Sequence, residues 1–345
     1  MKIDVFNHFM PKPYLERLAA LIPGHVAVTA FPRLAPLCDV EARLRLLDEF
    51  GDLQNVLSLA NPPLELVAGP DVTPELARLA NDALAEICTK HADYFPAFIA
   101  ALPMNNIDAA LTEIDRAVGS LGARGVQIFT HVVGKPLSRA EFRPIFRRMV
   151  EHDLPIWVHP MRGPDFADYK SEQRSEDEVW FAFGWPYETT ACMTRLIYSG
   201  LFDELPNLKI ITHHYGGLIP FFSGKIKLGF RQIFHGTPER NPLAEERHLK
   251  KAPIEYFRML YADTAVNGEA AATRCGHAFF GTRSSLFATD APFDAEQGRG
   301  LIRDTIGAVE ALEISRQERE RIFAGNARDL LRLTDTQAAK ARSTA

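Results

Sequence analysis

Short apolar segments spread over the whole chain end in side chains that can bind a metal. These side chains are His8, His159, the adjacent pair His213 and His214, and Asp290. The carboxyl ends of strands in a parallel barrel all lie at one mouth, so residues distant in sequence meet there. The pattern therefore predicts alternating strands and helices around one polar site.

The alternation continues along the chain. Apolar, strand-like segments cover Ile3–Phe9, Gln54–Ala60, Phe95–Pro103, Gly125–His131, Pro155–Pro160, Lys209–Gly217, Leu260–Ala265 and Ser285–Phe293. Helical spacing of apolar residues predicts helices over Thr73–Tyr94, Ile107–Gly119, Arg139–His152, Glu188–Leu205 and Leu312–Thr334. Strand alternating with helix is typical of a parallel sheet. We predict the α/β class and one distorted (β/α)8 TIM barrel over residues 1–333, with its active site at the strand carboxyl ends.

Two predicted loop insertions, 11–40 and 161–187, follow strands on the side where barrel loops build a pocket. The second insertion contains the aromatic residues Trp180, Phe181, Phe183, Trp185 and Tyr187. These rings could line a pocket for a flat ligand, form a small core within the loop, or contact a second subunit. Residues 334–345 are small and polar and are predicted to form a flexible tail.

The composition of the chain limits the classes of binding partner that we expect. A net charge of -5 gives no reason to expect nucleic acid or an anionic membrane. The four cysteines form no CxxC pair, and no apolar run approaches the ~20 residues that span a membrane. We therefore predict a cytoplasmic protein that acts on a small molecule.

The strand-end residues indicate a metal site. His8, His159 and Asp290 form a set that suits Zn, Mn or Fe and leaves coordination positions open. His214 could be a further ligand or a general acid or base. Neighbouring residues of a regular strand point to opposite faces, so one of His213 and His214 is expected to enter the mouth. Asp263, at the end of the seventh predicted strand, could face inward or hydrogen-bond a ligand or the backbone.

Several motifs in this order resemble the amidohydrolase superfamily, and within it the decarboxylase branch that includes 2-amino-3-carboxymuconate-6-semialdehyde decarboxylase. The motifs are Gly125–Ile128 with Thr130–Val132, Val158–Pro160, Pro186–Thr190, Gly200–Phe202, Pro206–Lys209, His214 with Gly216, Gly217 and Pro220–Phe221, and Thr289–Phe293. The resemblance implies a distorted (β/α)8 barrel, a homodimer and one divalent metal, with zinc favoured over manganese or iron.

The resemblance also assigns roles to residues. It places His159 and Asp290 as ligands, His8 as the second histidine of a first-strand H-x-H motif, and His214 rather than His213 as the catalytic histidine. The first histidine of that motif is replaced by Phe6, which cannot bind a metal. The site therefore loses one ligand, and metal-free chemistry is a serious alternative.

Candidates for substrate binding are Arg43, His131, Trp185 and Arg231. The resemblance implies an arginine from the neighbouring subunit at the position of Ile233, where Arg231 and Lys225 are close in sequence; Arg45 is another candidate.

The predicted function is a metal-dependent, non-oxidative decarboxylase of an unsaturated or aromatic carboxylic acid, in which His214 and Asp290 are catalytic. One alternative is a hydrolase or hydratase of the same superfamily that uses activated water, with or without metal. Another is an inactive ligand-binding or scaffold protein, for which Phe6 is the main support.

Overall fold

Parallel strands form the centre of the molecule. The computed structural model describes residues 1–232 and 249–333, without the side chains of 229–232. Its strands are β1 (Lys2–Phe9), β2 (Leu53–Leu59), β3 (Ala97–Phe98), β4 (Ala100–Ala101), β5 (Val126–Phe129), β6 (His131–Val132), β7 (Lys135–Pro136), β8 (Ile156–His159), β9 (Ile210–Thr212), β10 (Tyr261–Asp263) and β11 (Ser285–Leu286). Two parallel sheets have the orders β1-β2-β3 and β11-β10-β9-β8-β5-β4, and β6 and β7 form a small antiparallel hairpin.

Backbone hydrogen bonds join the two sheets on both sides. Ile99, between β3 and β4, donates its N–H to Leu57, 2.8 Å away, and Ala100 donates to Gly125 over 3.0 Å. On the other side, Val5 of β1 donates to Phe287 over 2.9 Å, just after β11. The strands therefore surround one interior, and the predicted (β/α)8 architecture is confirmed.

The helices lie between the strands in sequence. They cover Lys12–Leu21, Val26–Thr29, Ala35–Cys38, Val40–Asp48, Leu64–Val67, Thr73–Lys90, Ile107–Gly119, Arg143–His152, Trp185–Tyr198, Leu201–Glu204, Ser223–Gln232, Pro253–Phe257, Ala270–Phe280, Arg299–Glu310, Arg316–Glu320 and Asn326–Leu331. Ile107–Gly119 has the predicted bounds. The predicted helix Glu188–Leu205 is divided at Gly200, whose φ of 77° is left-handed.

The long connection at 11–40 folds into short helical pieces. Tyr14, Leu18 and Leu37 are buried in a core that they share with Leu76 and Ala80 of the helix Thr73–Lys90.

No helix in the described part of the chain has the length and apolar character needed to cross a bilayer. The domain bounds, the cytoplasmic location and the homodimer stay predictions, and the tail at 334–345 lies outside the described residues.

The barrel interior is apolar below its mouth. Val5, Val56, Trp157, Ile211 and Leu286 come from different strands and are at most 1% exposed in one cluster. Apolar packing of this kind fills barrel interiors and leaves the working residues at the strand carboxyl ends.

Candidate metal centre and active site

The first strand brings Phe6 and His8 to the mouth. The register of β1 against β2 shifts between Asp4 and Asn7, and both rings are about 1% exposed. The His8 Nε2 atom lies 2.9 Å from Asp290 Oδ1. The Phe6 ring centroid lies 5.0 Å from that of His8, so phenylalanine occupies a position among the polar groups.

Asp290 is aimed by a turn that follows β11. Its φ of 61° is left-handed, and its N–H donates to the Phe6 carbonyl over 3.0 Å. Burial tends to raise the pKa of the Asp290 carboxyl, but the nearby imidazoles of His213, His214 and His8 hold that pKa well below its usual range. A carboxylate that stays ionised is the form that a metal requires.

His159 ends β8 with a defined orientation. Its Nδ1 lies 2.6 Å from the Pro160 carbonyl oxygen, so Nδ1 carries the proton and Nε2 is left to act as an acceptor. Burial first, and then the charges of His213 and His8, lower the pKa of His159 well below its ordinary value. The neutral imidazole is the metal-binding form.

His213 and His214 both face the mouth, and the prediction that only one would enter was wrong. The strand β9 ends at Thr212, after which His214 and Tyr215 adopt left-handed φ values of 53° and 47°. His213 Nε2 lies 3.6 Å from Asp290 Oδ1, and His214 Nε2 lies 3.5 Å from Asp290 Oδ2. The strict alternation of a strand does not apply because the chain has already turned.

Asp263 positions this pair. Its Oδ2 lies 2.6 Å from His213 Nδ1, and its Oδ1 accepts the His214 N–H over 3.0 Å. Burial opposes protonation of His213, but Asp263 and Asp290 outweigh it and raise the pKa of His213 to about 10. Asp263, at the end of β10, therefore faces inward and also hydrogen-bonds a member of the site, so both roles considered from sequence apply.

The donor atoms fit a divalent metal. One ligand atom each from His8, His159 and Asp290 lies within 4.8 Å of the others, and the same holds for His213, His214 and Asp290. His8 Nδ1, His213 Nε2 and His214 Nδ1 are buried without a hydrogen-bond partner among the described residues. Buried polar atoms without partners are costly unless a ligand completes them. The four predicted residues His8, His159, His214 and Asp290 are thus brought together.

Aromatic side chains surround this cluster. Ring centroids of Phe129 and Trp185 lie 5.2 and 5.3 Å from that of His159, and Phe293 lies 5.4 Å from His8. Of the insertion aromatics, Trp185 reaches the site, whereas Phe183 is 70% exposed. Sequence reasoning did not select Phe129 or Phe293, although each lies at or beyond a strand carboxyl end.

Arg43 does not have the predicted substrate-binding position. It is 1% exposed, and its guanidinium donates to the carbonyls of Pro36 and His8 and to the side chains of Asn7 and Asn55. Because each nitrogen already has an acceptor inside the protein, Arg43 fixes the backbone at His8 and is not free to hold a carboxylate.

The remaining substrate candidates differ in position. His131 lines a cleft of about 400 Å³ with Arg162 and Glu188, next to Thr130, whose N–H donates to the His159 carbonyl. Arg162, which sequence reasoning missed, pairs with Glu188 and Asp168 at 3.4 Å each. The side chain of Arg231 and the whole of Ile233 lie outside the described residues.

Comparison with known proteins agrees with this architecture. The chain is 31% identical over 342 residues to γ-resorcylate decarboxylase of Rhizobium sp. (strain MTP-10005), covering 96% of this chain and 98% of the relative. It is 27% identical to 2-amino-3-carboxymuconate-6-semialdehyde decarboxylase of Dictyostelium discoideum, covering 96% and 92%. A dihydroxybenzoic acid decarboxylase from Polaromonas sp. JS666, solved with bound manganese and the inhibitor 2-nitroresorcinol, superposes with a TM-score of 0.78 at 29% identity, covering 96% and 97%.

These relatives bear on the predictions made from sequence. A divalent metal is supported, whereas zinc in particular is not. The prediction of a carboxy-lyase is confirmed, and the hydrolase alternative gains no support from the relatives named above. The family model described as Amidohydrolase matches residues 43–333, and the chain belongs to this family.

Proposed function

We propose that this chain is a metal-dependent, non-oxidative decarboxylase of a hydroxylated aromatic acid. The observation that carries the proposal is the convergence of three imidazoles, from His8, His159 and His214, on the Asp290 carboxylate. The named relatives act on aromatic or unsaturated carboxylic acids, and one binds 2-nitroresorcinol. An aromatic acid with a hydroxyl group next to the carboxylate is therefore the substrate class that we infer.

The walls of the site suit a flat ring. Phe129, Trp185 and Phe293 place aromatic faces around the histidines, within 5.2 to 5.4 Å between ring centroids. Aromatic pairs at such distances stabilise an offset or edge-to-face arrangement. The indole of Trp185 is fixed because its Nε1–H donates to the Arg162 carbonyl over 3.0 Å.

His8, His159 and Asp290 would hold the metal. When bound, a divalent ion polarises substrate oxygens and stabilises the negative charge that develops as CO2 leaves. Manganese is the precedent among the relatives. Burial of His159, which keeps its imidazole neutral, supports this ligand role.

His214 would move the proton. Burial first, and then the charge on His213, lower the pKa of His214, so its imidazole is neutral near pH 7 and takes up a proton from water before the substrate bond breaks. The bond between the ring carbon and the carboxyl carbon breaks, and CO2 leaves. The electron pair stays on the ring carbon and forms a C–H bond with the proton from His214. The 15% exposed side chain then regains a proton from water.

The test is product analysis with the metal-loaded protein. The panel is 2,6-dihydroxybenzoate, 2-hydroxybenzoate, 3-hydroxybenzoate and benzoate. We expect CO2 and the ring product from the acids with a hydroxyl next to the carboxylate, and at least tenfold slower release from the other two. A product heavier by one water, or no turnover of any member at saturating metal, would contradict the proposal.

A further inference from the structure

Phe6 leaves the metal centre short of one ligand on the first strand. Its ring lies among the imidazoles, with centroids 5.0 Å from His8, 5.7 Å from His159 and 4.4 Å from His213. Phenylalanine has no donor atom, so a ligand at this place has to come from another strand. The imidazole closest to the Phe6 ring is that of His213.

His213 has the arrangement of a metal ligand. Its side chain is 2% exposed, and one ring nitrogen, Nδ1, is held by Asp263 Oδ2 at 2.6 Å. The other nitrogen, Nε2, is buried and without a hydrogen-bond partner among the described residues. Metal-binding histidines usually donate their second ring N–H to a carboxylate or a carbonyl, which fixes the ring and its tautomer.

The neighbouring histidines serve as internal references. His159, a predicted ligand, is held in the same way, with Nδ1 2.6 Å from the Pro160 carbonyl. His214 is different, because its Nδ1 is buried without an acceptor among the described residues. Of the adjacent pair, His213 is therefore anchored through Nδ1 as His159 is, whereas His214, like His8, has a buried Nδ1 without a partner among the described residues.

The unpaired nitrogen also faces the Asp290 carboxylate, which is common to the two groups of metal-capable residues. His213 Nε2 lies 3.6 Å from Asp290 Oδ1, the oxygen that His8 Nε2 approaches to 2.9 Å. The His213 and His159 rings stack with centroids 5.2 Å apart. His213 thus faces the same carboxylate oxygen as His8.

We propose that His213 is an additional metal ligand that takes the role Phe6 cannot perform, with Asp263 as its positioning residue. The ligand set would then be His8, His159, His213 and Asp290, and the bound metal would displace the proton that Asp263 and Asp290 otherwise hold on His213. His214 would remain free for proton transfer. This inference rests on the proposed function only in requiring that a divalent metal is bound.

The first test measures Mn(II) affinity of the purified full chain by competition with a chelating dye. We expect one Mn(II) per wild-type chain, at least 100-fold weaker binding in His213→Ala, and 10- to 100-fold weaker binding in Asp263→Asn. His152→Ala is the control. His152 ends the helix Arg143–His152 and pairs with Asp115 of the helix Ile107–Gly119, so this variant should bind Mn(II) as the wild type does. Unchanged affinity in His213→Ala, or no binding by the wild type, would overturn the inference.

Two measurements keep the test decisive if His213→Ala folds poorly. Pulsed EPR of Mn(II)-loaded wild type should detect three coordinated imidazoles, and two would overturn the proposal. Adding Phe6→His to His213→Ala should restore most of the lost affinity, because removal of the His213 ring makes room beside residue 6. If the double variant folds and still does not bind Mn(II) more tightly than His213→Ala, His213 does not supply the ligand that Phe6 lacks.

The outcomes separate this inference from the proposed function. Metal binding that depends on His213 without CO2 release from any acid would leave the ligand assignment standing and reject the decarboxylase. CO2 release by a His213→Ala protein with wild-type Mn(II) affinity would support the decarboxylase and reject His213 as a ligand.

Discussion

The mouth of the barrel and the polar network around Arg43 differ in how their buried polar groups are paired. In the network, Arg43 donates to Asn7, Asn55 and two backbone carbonyls, and Asp4 accepts from Thr289 over 2.6 Å. At the mouth, ring nitrogens of three histidines have no partner among the described residues. An unpaired buried polar group costs roughly 1–3 kcal/mol. The mouth therefore carries a cost that the named members of the network do not carry.

The network has a structural role, whereas the mouth has a chemical one. The network fixes the backbone of β1, through the His8 carbonyl, and the turn that carries Asp290, through Thr289. The mouth keeps donor atoms available for a metal and a substrate. Variants of the mouth should therefore lose activity more than stability, and variants of the network should lose stability first.

The largest effect is expected at the mouth. His214→Ala should lower CO2 release about 10²- to 10⁴-fold, because it removes the proposed proton carrier. Its free energy of unfolding should change far less, since the side chain is 15% exposed and its Nε2 approaches Asp290 Oδ2 only to 3.5 Å. Steady-state kinetics and urea unfolding measure the two. Equal rates in variant and wild type would remove His214 from the mechanism.

The network should respond in the opposite sense. Arg43→Met leaves the acceptors of Asn7, Asn55 and His8 buried and unpaired, and should lower the free energy of unfolding by about 3–5 kcal/mol. Urea unfolding of the metal-free protein measures this loss. Arg45→Met, on the same helix but exposed, is the matched control and should change stability by about 0.5 kcal/mol or less. A similar small loss in Arg43→Met would contradict the supporting role.

Asp4 tests the network through pH. Burial, acting against hydrogen bonds from Thr289 and Phe6, raises the pKa of Asp4 from 3.8 to about 7. The folded chain keeps this proton longer than the unfolded chain, so the stabilisation is complete below about pH 4 and is lost as the pH rises to 7. At about 1.4 kcal/mol per pH unit, the loss is at most about 4 kcal/mol.

The measurement compares the free energy of unfolding of metal-free wild type and Asp4→Asn between pH 4 and 8. The wild type should become less stable relative to the variant as the pH rises to 7, and the difference should then stay constant. Parallel pH curves for the two proteins would show that Asp4 is ionised in the folded state throughout.

Metal removal should have a smaller effect on stability. Free metal at 100 times its dissociation constant stabilises the folded state by about 2.7 kcal/mol if the unfolded chain does not bind it. Mn(II) should therefore raise the unfolding temperature of the wild type and have little effect on His159→Ala, which lacks a predicted ligand. An equal rise in both proteins would mean that the metal binds elsewhere.

Sequence reasoning located the mouth because strand ends have a regular signature. His8, His159 and Asp290 each follow an apolar segment, and the parallel barrel brings such positions together. The directions of His213 and His214 were not predictable, because they depend on the left-handed turn at His214 and Tyr215. Alternation of side chains applies within a strand and fails one residue beyond it.

The hydrogen-bonding role of Arg43 in the network could not be predicted from the sequence. Arg43 lies on the helix Val40–Asp48, and its acceptors come from β1, β2 and the short helix Ala35–Cys38. An arginine on an amphipathic helix gives no local sign that distant carbonyls will bury it. Phe6 was recognised as a missing ligand, but its contact with His213 required the register shift in β1 and the turn after β9.

Metal titration of catalysis tests the central claim most directly. CO2 release from 2,6-dihydroxybenzoate is measured while Mn(II) is added to the metal-free protein in known equivalents. The cluster around Asp290 predicts negligible release without metal, a linear rise, and saturation at one equivalent per chain. Release that is independent of added metal, or absent at every ratio, would contradict the assignment of this mouth as the metal centre of a decarboxylase.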